Sequence, residues 1–223
     1  MGSTTLMLVE FPTYFWRPVA ACFCALSALA FHANAALYDV NNGVSATGNT
    51  QAGWIAATAA NGVTFSGAGS TIASRDRGTG NTNGPGGDTA NNDMWRDFIF
   101  GNGSDLAGEG LDITITGLLA NTDYNVRLWG WDDSSNNGRT ALWNGNLLTF
   151  PSDPDPTDLD DYVVAFTATT NGSGTLVLQG RAVNTGQPHN VFVNGFELVA
   201  VPEPGSLALA LIGGLLMVRR RRS

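Results

Sequence analysis

The stretch Leu111-Asp112-Ile113-Thr114-Ile115-Thr116 alternates apolar and polar side chains without interruption. Because successive side chains of a strand point to opposite faces of its sheet, this alternation predicts a strand that buries Leu111, Ile113 and Ile115. Residues 123–131 alternate in the same way and predict a second half-buried strand. Both strands therefore favour a fold whose sheets have one apolar and one polar face.

Further strand-like runs lie on both sides of these two, and turn clusters rich in Gly, Asn, Asp, Ser and Pro separate them. No segment shows a run of helical periodicity. The additional runs are residues 37–40, 53–57, 63–66, 70–74, 95–100, 162–168, 174–180 and 191–199. Short strands at this spacing predict an all-β domain over residues 36–200, a two-sheet antiparallel β-sandwich of the jelly-roll kind.

The composition excludes several classes of protein. The chain has 223 residues, of which 28 are Gly and only 13% are charged, and it contains no Lys. Low charge with abundant turn residues is typical of an all-β domain and not of a helical bundle. Residues 36–201 hold six Arg and 17 acidic side chains, a net charge of −11, so we expect no nucleic-acid partner.

Cysteine and histidine chemistry is restricted as well. Cys22 and Cys24 lie in the N-terminal apolar segment and His32 directly follows it, which leaves His189 as the remaining His. Without that segment the chain has no disulfide, no Cys nucleophile and no Cys-ligated metal. A catalytic arrangement that needs His would rest on His189 alone, and we expect a protein that is not an enzyme.

The N-terminus has the three parts of a secretory signal peptide. Arg17 supplies the positive charge, residues 19–31 form the apolar run, and Ala33-Asn34-Ala35 is a small-x-small cleavage site. We predict a helical signal peptide over residues 1–35, recognised by Sec-type export machinery and cut by signal peptidase so that the mature chain begins at Ala36. A buried N-terminal helix is the alternative.

Residues 201–223 carry the most specific pattern in the chain. Val201-Pro202-Glu203-Pro204-Gly205 precedes an apolar run, 207–218, and the chain then continues with Arg219, Arg220, Arg221 and Arg222. Twelve helical residues span about 18 Å, well short of the roughly 30 Å hydrocarbon core of a bilayer. We predict a short apolar transmembrane helix whose Arg cluster stays on the cytoplasmic side. A permanent short membrane anchor is the alternative.

This order of Pro-Glu-Pro, apolar run and Arg cluster resembles the PEP-CTERM sorting signal of exopolysaccharide-producing Gram-negative bacteria. The resemblance implies that an exosortase cuts near Pro202, Glu203 and Pro204 and that the tail is then discarded. It also implies an exported protein, anchored transiently in the inner membrane and then located at the cell surface or in the extracellular matrix.

The body of the chain resembles galactose-binding-like sandwich modules in the style and order of several short segments. The resemblance implies a jelly roll that binds glycans, although a fold does not by itself establish a ligand. The segments are Leu37-Tyr38-Asp39-Val40, Arg75-Asp76-Arg77-Gly78, Asp97-Phe98-Ile99-Phe100, Thr116-Gly117-Leu118, Asp123-Tyr124-Asn125-Val126 and the run Val191-Phe192-Val193-Asn194-Gly195-Phe196-Glu197-Leu198.

A set of aromatic and polar residues is the candidate ligand site. Arg127, Trp129 and Trp131 would share one face of the strand at 123–131, and aromatic rings stack on the C–H faces of sugars while polar side chains bind hydroxyls. The alternative is that the Trp rings fill the sandwich core. The predicted ligand-binding residues are Arg127, Trp129, Trp131, Asp132, Arg139, Trp143 and Asn144.

Five aspartates crowd one predicted loop and form the candidate metal site. Several carboxylates together could hold Ca²⁺, the one cofactor that the sequence suggests. Their spacing does not match an EF-hand loop, and a solvated acidic loop without metal is the alternative. The five are Asp153, Asp155, Asp158, Asp160 and Asp161.

These observations together predict an exported, non-catalytic protein associated with the cell surface, exopolysaccharide or biofilm matrix. Its expected partners are the export machinery, signal peptidase, an exosortase and extracellular polysaccharide, the last bound as a carbohydrate-binding module would bind it. Two alternatives remain open at this point: a structural matrix protein without a specific ligand, and a glycan-active enzyme built on an Asp pair such as Asp97 and Asp112.

Overall fold

A computed structural model describes residues 35–40, 50–76, 91–102, 107–132, 139–150, 155–183 and 191–202. Residues Ala33–Val201 make up one compact unit. The predicted signal helix and the predicted apolar helix at 207–218 lie outside the described residues.

Strands dominate the described part of the chain. It contains thirteen strands, one helix of five residues, α1 (Asn92–Arg96), and a single 3-10 turn, Ala59–Asn61. The strands are β1 (Ala36–Asp39), β2 (Ile55–Ala56), β3 (Val63–Ala68), β4 (Thr71–Asp76), β5 (Asp97–Asn102), β6 (Gly110–Ile115), β7 (Asp123–Trp129), β8 (Arg139–Trp143), β9 (Asn146–Phe150), β10 (Val163–Thr169), β11 (Leu176–Ala182), β12 (Phe192–Val193) and β13 (Gly195–Ala200).

The strands form three sheets. Sheet A has the order β10-β7-β13-β1-β2, sheet B has the order β3-β6-β11-β8-β9, and the smaller sheet C has the order β12-β5-β4. Every described strand pair is antiparallel except β1 with β2. Most neighbours are distant in sequence, so the sheets assemble by crossovers and not as a row of hairpins.

Sheets A and B share one hydrophobic core. The predicted alternation in β6 is confirmed, because Leu111, Ile113 and Ile115 are fully buried. From sheet A, Tyr38 and Phe196 pack into the same core with their rings stacked at 4.8 Å. Burial of each such side chain stabilises the fold by roughly 1.5–3 kcal/mol, so this shared core is the main stabilising feature of the two large sheets.

The prediction of two sheets and no helix needs two corrections. Sheet C is a third sheet, and α1 occupies part of the predicted strand at 95–100, so that β5 begins only at Asp97. Asp93 lies in the first turn of α1, and Arg96 donates to its Oδ1 at 3.2 Å across one helical turn. A helix of five residues is too short to produce a periodic sequence pattern.

The β8–β9 hairpin is not among the predicted strand-like runs. Asn144 and Gly145 connect the two strands with φ angles of 47° and 82°. Left-handed φ at both central residues is the geometry of a type I′ turn, which Asn-Gly favours because its twist matches that of the flanking strands. The geometry of the turn therefore explains why Asn is found at position 144.

Asn194 links sheet A to sheet C at the bend between β12 and β13. It is fully buried. Its side-chain oxygen accepts the N–H of Trp131 at 2.7 Å, and its side-chain nitrogen donates to the carbonyls of Trp95 and Asp97, both at 3.1 Å. Its backbone N–H donates to the Trp129 carbonyl at 2.9 Å, and its carbonyl accepts the N–H of Val40 at 2.9 Å. Through its side chain and its backbone, this one residue therefore joins the ends of β1 and β7 to the junction of α1 with β5.

Replacement of Asn194 by Ala should be among the most destabilising changes in the domain. It removes the side-chain partner of the buried Trp131 N–H and the hydrogen bonds that the Trp95 and Asp97 carbonyls accept from the amide, which should lower the free energy of unfolding by about 3 kcal/mol. Urea denaturation followed by circular dichroism measures this loss. Asn125→Ala, at an exposed position of β7, is the matched control and should change stability by less than about 0.5 kcal/mol. Equal effects from both variants would contradict this role.

Candidate functional site

The three tryptophans of the predicted ligand platform are core residues. The exposed fractions of Trp129, Trp131 and Trp143 are 0%, 2% and 0%. No ring among them presents a face to solvent, so stacking on a sugar would require the core to open. The burial favours the alternative stated above, in which these rings fill the core.

Two different cores contain these rings. Trp143 faces between sheets A and B. The other two belong to a separate aromatic cluster, which α1 and the ends of several strands assemble. The aromatic cluster consists of Met94, Trp95, Phe98, Phe100, Trp129, Trp131, Phe150 and Phe192. The predicted set therefore does not converge on one surface.

Strand alternation does place Arg127 and Trp129 on the same outer face of sheet A, as predicted. The outer face at Trp129 is covered by the segment 155–162. The indole N–H of Trp129 donates to the Leu159 carbonyl at 2.8 Å, and Arg127 donates to the same carbonyl at 2.7 Å. The guanidinium of Arg127 also lies 5.2 Å from the Trp129 ring centroid. This segment is what removes Trp129 from solvent.

Arg127 is one of three predicted ligand residues that remain accessible, together with the partly buried Arg139 and the exposed Asn144. The Arg127 side chain is 35% exposed and pairs with Asp160 at 2.7 Å and with Glu197 at 3.8 Å. Asn125, two residues from Arg127 on the same face of β7, is exposed. The outer face of sheet A therefore carries a charged and polar patch beside the covered aromatic ring.

Trp54 is an aromatic residue of this patch that the sequence reasoning did not select. It is partly buried, and its ring lies 5.5 Å from that of Trp129. A Cβ at Gly195 would stand 2.9 Å from Trp54 Cζ3, so the ring lies directly over the backbone of β13. Trp54 precedes the two-residue strand β2, and nothing in that short run distinguishes it from a core residue.

The other predicted ligand residues lie elsewhere. Asp132 is buried, and Arg139 on β8 lies 5.8 Å from the Phe192 ring centroid. Burial lowers the pKa of Arg139, and the charge of Asp132 opposes that shift. The side-chain oxygen of Asn144 accepts the backbone N–H of Gln179 at 2.7 Å, which ties the β8–β9 turn to β11. Arg139 and Asn144 thus belong to sheet B and its hairpin turn, whereas Arg127 lies on sheet A.

Two of the aspartates in the acidic segment accept hydrogen bonds from other residues of the same loop. Asp153 lies outside the described residues. Asp161 accepts hydrogen bonds from the backbone N–H and hydroxyl of Thr157, at 2.8 and 2.7 Å, and these bonds lower its pKa. Asp158 accepts the backbone N–H of Asp160 at 2.8 Å.

Calcium binding by this loop stays a prediction. Asp160 pairs with Arg127, and Asp155 completes the described members of the set. Among the described residues, no three His, Cys, Asp or Glu side chains come together as a metal site. The loop geometry thus gives each of three carboxylates a protein partner.

A different carboxylate is the most perturbed titratable group described. Asp39, the last residue of β1, is fully buried on the outer face of sheet A, where it is paired in register with Gly195. Burial raises its pKa to about 7, a hydrogen bond from the Gln51 N–H opposes the shift, and the charge of Asp93 adds to it. The sequence reasoning treated this residue only as part of a family-like segment.

The predicted processing residues fall at the limits of the described chain. Ala35 and Pro202 are exposed, whereas Ala33, Glu203, Pro204, Arg219, Arg220, Arg221 and Arg222 lie outside the described residues. In the part of the chain that is described, no helix has the length and apolar character needed to cross a bilayer.

Comparison of the sequence with protein-family models gives no match, and comparison with curated proteins gives none either.

Gly195→Ala should destabilise the domain because three groups occupy the space of the added methyl. Its Cβ would lie 2.9 Å from Trp54 Cζ3, 2.9 Å from the Tyr38 carbonyl oxygen and 3.0 Å from Met94 Cγ. We expect a loss of about 1–3 kcal/mol and a changed tryptophan emission as Trp54 is displaced.

Thermal unfolding monitored by fluorescence measures both effects. Gly172→Ala is the matched control, since its Cβ would meet only Asn121 Oδ1 at 3.8 Å. An unchanged melting temperature for Gly195→Ala would contradict the close packing of Trp54 on β13.

Proposed function

We propose that this chain is an exported, non-catalytic β-sandwich domain, of the jelly-roll kind, that is processed at both ends and associates with extracellular polysaccharide or biofilm matrix. The observation that carries the proposal is the C-terminal pattern of Pro202-Glu203-Pro204, apolar run and Arg cluster. That pattern begins directly after Val201, whose N–H donates to the Asp123 carbonyl at 2.8 Å.

The arrangement of the chain ends supports processing without damage to the domain. β1 and β13 are antiparallel neighbours, with Ala36 opposite Leu198. The chain therefore enters and leaves sheet A at the same end, through the exposed residues Ala35 and Pro202. Cleavage before Ala36 and after Val201 would remove no residue of β1 or β13.

Intact-mass measurement on protein from the envelope and medium of the native host tests this processing. We expect a species that begins at Ala36 and ends between Pro202 and Gly205. The matched variant carries Glu203→Ala, which should leave the N-terminal cut unchanged and allow the tail to accumulate. A dominant species that retains residues 207–223 would contradict the sorting proposal and would indicate that the tail is a permanent membrane anchor.

Glycan contact is assigned within this proposal to the outer face of sheet A, at Trp54, Arg127 and Glu197. What supports this choice is the partial exposure of all three, their position on one sheet face, and the chemistry of an aromatic ring beside hydrogen-bonding groups. The buried rings of Trp129, Trp131 and Trp143 are not part of the assignment.

Retention on a panel of polysaccharides, including the exopolysaccharide of the native host, tests this assignment with the full-length chain. Trp54→Ala and Arg127→Ala should each weaken retention about tenfold, because each removes a direct contact. Leu147→Ala, an exposed side chain on β9 of sheet B, is the control and should bind as the unaltered chain does.

Circular dichroism and melting temperature must accompany each variant, because Trp54 also packs on β13. Equal retention of the folded Trp54→Ala and Leu147→Ala variants would contradict glycan binding at this face. If the unaltered chain binds no polysaccharide, a structural matrix role without a specific ligand becomes the better proposal.

A glycan-active enzyme is less well supported. Asp97 is 1% exposed, so a substrate in solvent cannot reach it. Asp112 is paired with Arg181 at 2.5 Å. A retaining or inverting glycosidase needs two carboxyl groups on either side of an accessible bond. Release of reducing ends from the same polysaccharide panel would support the enzyme instead.

A further inference from the structure

Asp39 fixes both ends of the short segment that carries Trp54. Its side-chain Oδ2 accepts the backbone N–H of Gln51 at 2.6 Å, and its backbone carbonyl accepts the N–H of Ala57 at 2.8 Å. Between these two points the Gln51 carbonyl accepts the N–H of Trp54 at 2.9 Å, which closes a turn over residues 51–54. The carboxyl group of Asp39 is therefore bonded directly to the turn that positions Trp54.

The ring of Trp54 lies over the same row of sheet A that contains Asp39. Asp39 is paired in register with Gly195, and side chains of directly opposed strand residues share one face of the sheet. A Cβ at Gly195 would stand 2.9 Å from Trp54 Cζ3 and 3.0 Å from Met94 Cγ. The exposed fraction of Asp39 is zero, so this cover keeps its carboxyl group from water.

An ionised carboxylate at this position has too few partners. Asp39 Oδ1 is buried and accepts no hydrogen bond from any described residue. No described basic side chain forms an ion pair with Asp39. A buried charge with one donor is costly, whereas a protonated carboxyl group carries no charge and keeps the Gln51 bond through Oδ2.

The helix α1 brings one charged pair to this region. Arg96 pairs with Asp93, with 3.2 Å between Nη1 and Oδ1. Burial raises the pKa of Asp39 to about 7, the hydrogen bond from the Gln51 N–H opposes this shift, and the charge of Asp93 adds to it. The charges of α1 therefore do not favour an ionised Asp39.

The described strands beside Asp39 supply no ion-pair partner for it. On β13, Glu197 shares the outer face with Gly195 and pairs with Arg127 at 3.8 Å. On β1, Tyr38 points to the opposite face, where its ring stacks on that of Phe196. Strand β2 and the turn at 51–54 contain no titratable side chain. The surroundings of Asp39 thus favour its protonated form.

We propose that Asp39 is a pH-sensitive positioning residue for Trp54: its protonated carboxyl group holds the segment 51–57 closed on sheet A, and loss of the proton to solvent releases the turn that carries the ring. The ionised group needs water at Oδ1, and water reaches Oδ1 only if the covering side chains move. Trp54 moves because its turn is bonded to the same carboxyl group. This inference concerns the position of Trp54 and is independent of whether this face binds glycan.

The direction of the pH dependence follows from the pKa of Asp39 in the two states of the chain. It is about 7 in the folded state, against an ordinary value of 3.8. The folded state thus binds the extra proton, so the stability that Asp39 contributes is greatest below about pH 4, falls as the pH rises to about 7, and is constant above that. Between pH 5 and pH 8, this contribution should lower the melting temperature by about 4–8 °C.

Thermal unfolding of the full-length chain measures this contribution by comparison with Asp39→Asn. The substitution keeps the shape of the side chain and cannot ionise. It should remove the fall in melting temperature that Asp39 causes, and it should make the chain more stable than the unaltered chain at pH 8. Asp123→Asn, at an exposed aspartate of β7, is the matched control and should keep the pH dependence of the unaltered chain.

Acrylamide quenching of tryptophan fluorescence, titrated from pH 5 to pH 9, reports the release of Trp54 itself. In the unaltered chain quenching should increase with a midpoint at about pH 7, and in Asp39→Asn it should stay constant. Trp54→Phe should abolish the increase, because the other described tryptophans are buried. An increase that survives in Asp39→Asn would assign the titration to another group, and one that survives in Trp54→Phe would assign the motion to another ring. Either result would overturn the proposal.

A direct titration keeps the proposal testable if Asp39→Asn does not fold. Carbon-13 NMR of the unaltered chain, labelled at its aspartate carboxyl groups, should show one signal that titrates near neutral pH, well above the others. If every aspartate signal of the folded chain titrates below about pH 5, Asp39 is ionised at neutral pH and the proposal is wrong.

Discussion

The buried amide of Asn194 is the constraint on which the arrangement of the sheets depends. The Asn194 side chain bonds to the end of β7 and to the junction of α1 with β5, and the Asn194 backbone bonds to the ends of β1 and β7. These bonds hold sheet C against one end of the central strands of sheet A. Hydrophobic burial has no direction, so the main core could tolerate small shifts between its layers. Five hydrogen bonds at a fully buried residue cannot, because each displaced group would lose its partner in a medium without water.

This anchoring explains why sheet A is buried on both faces at one of its ends. With α1 and β5 fixed above the row Trp129, Gly195 and Asp39, the aromatic cluster forms on the side of the sheet that would otherwise face solvent. Gly195 lets Trp54 and Met94 approach the backbone, and the segment 155–162 closes the remaining side through Arg127 and Trp129. This second layer also buries Asp39, which is why the pKa of an otherwise ordinary strand-end carboxylate is raised.

The sequence predicts the strands better than it predicts what covers them. Alternation correctly assigns the inward side chains of β6 and places Arg127 and Trp129 on a shared outward face, because the period of a strand is a local property. Whether an outward face meets water depends on segments distant in sequence, and no local pattern records that 155–162 folds back over Trp129. Trp131 lies beyond the end of β7, where strand alternation no longer applies. The helix α1 is too short for a periodic signal, so the sequence pattern assigns its last two residues to the strand that follows it.

The adjacency of β1 and β13 also has a mechanical consequence. Since Ala36 and Ala200 lie at the same end of two paired strands, a pull between the two chain termini would load the hydrogen bonds of that pair one after another, as in opening a zipper. A domain of this kind resists tension between its own ends poorly. It is well suited to attachment through a single end, which leaves the hydrogen bonds of the pair unloaded.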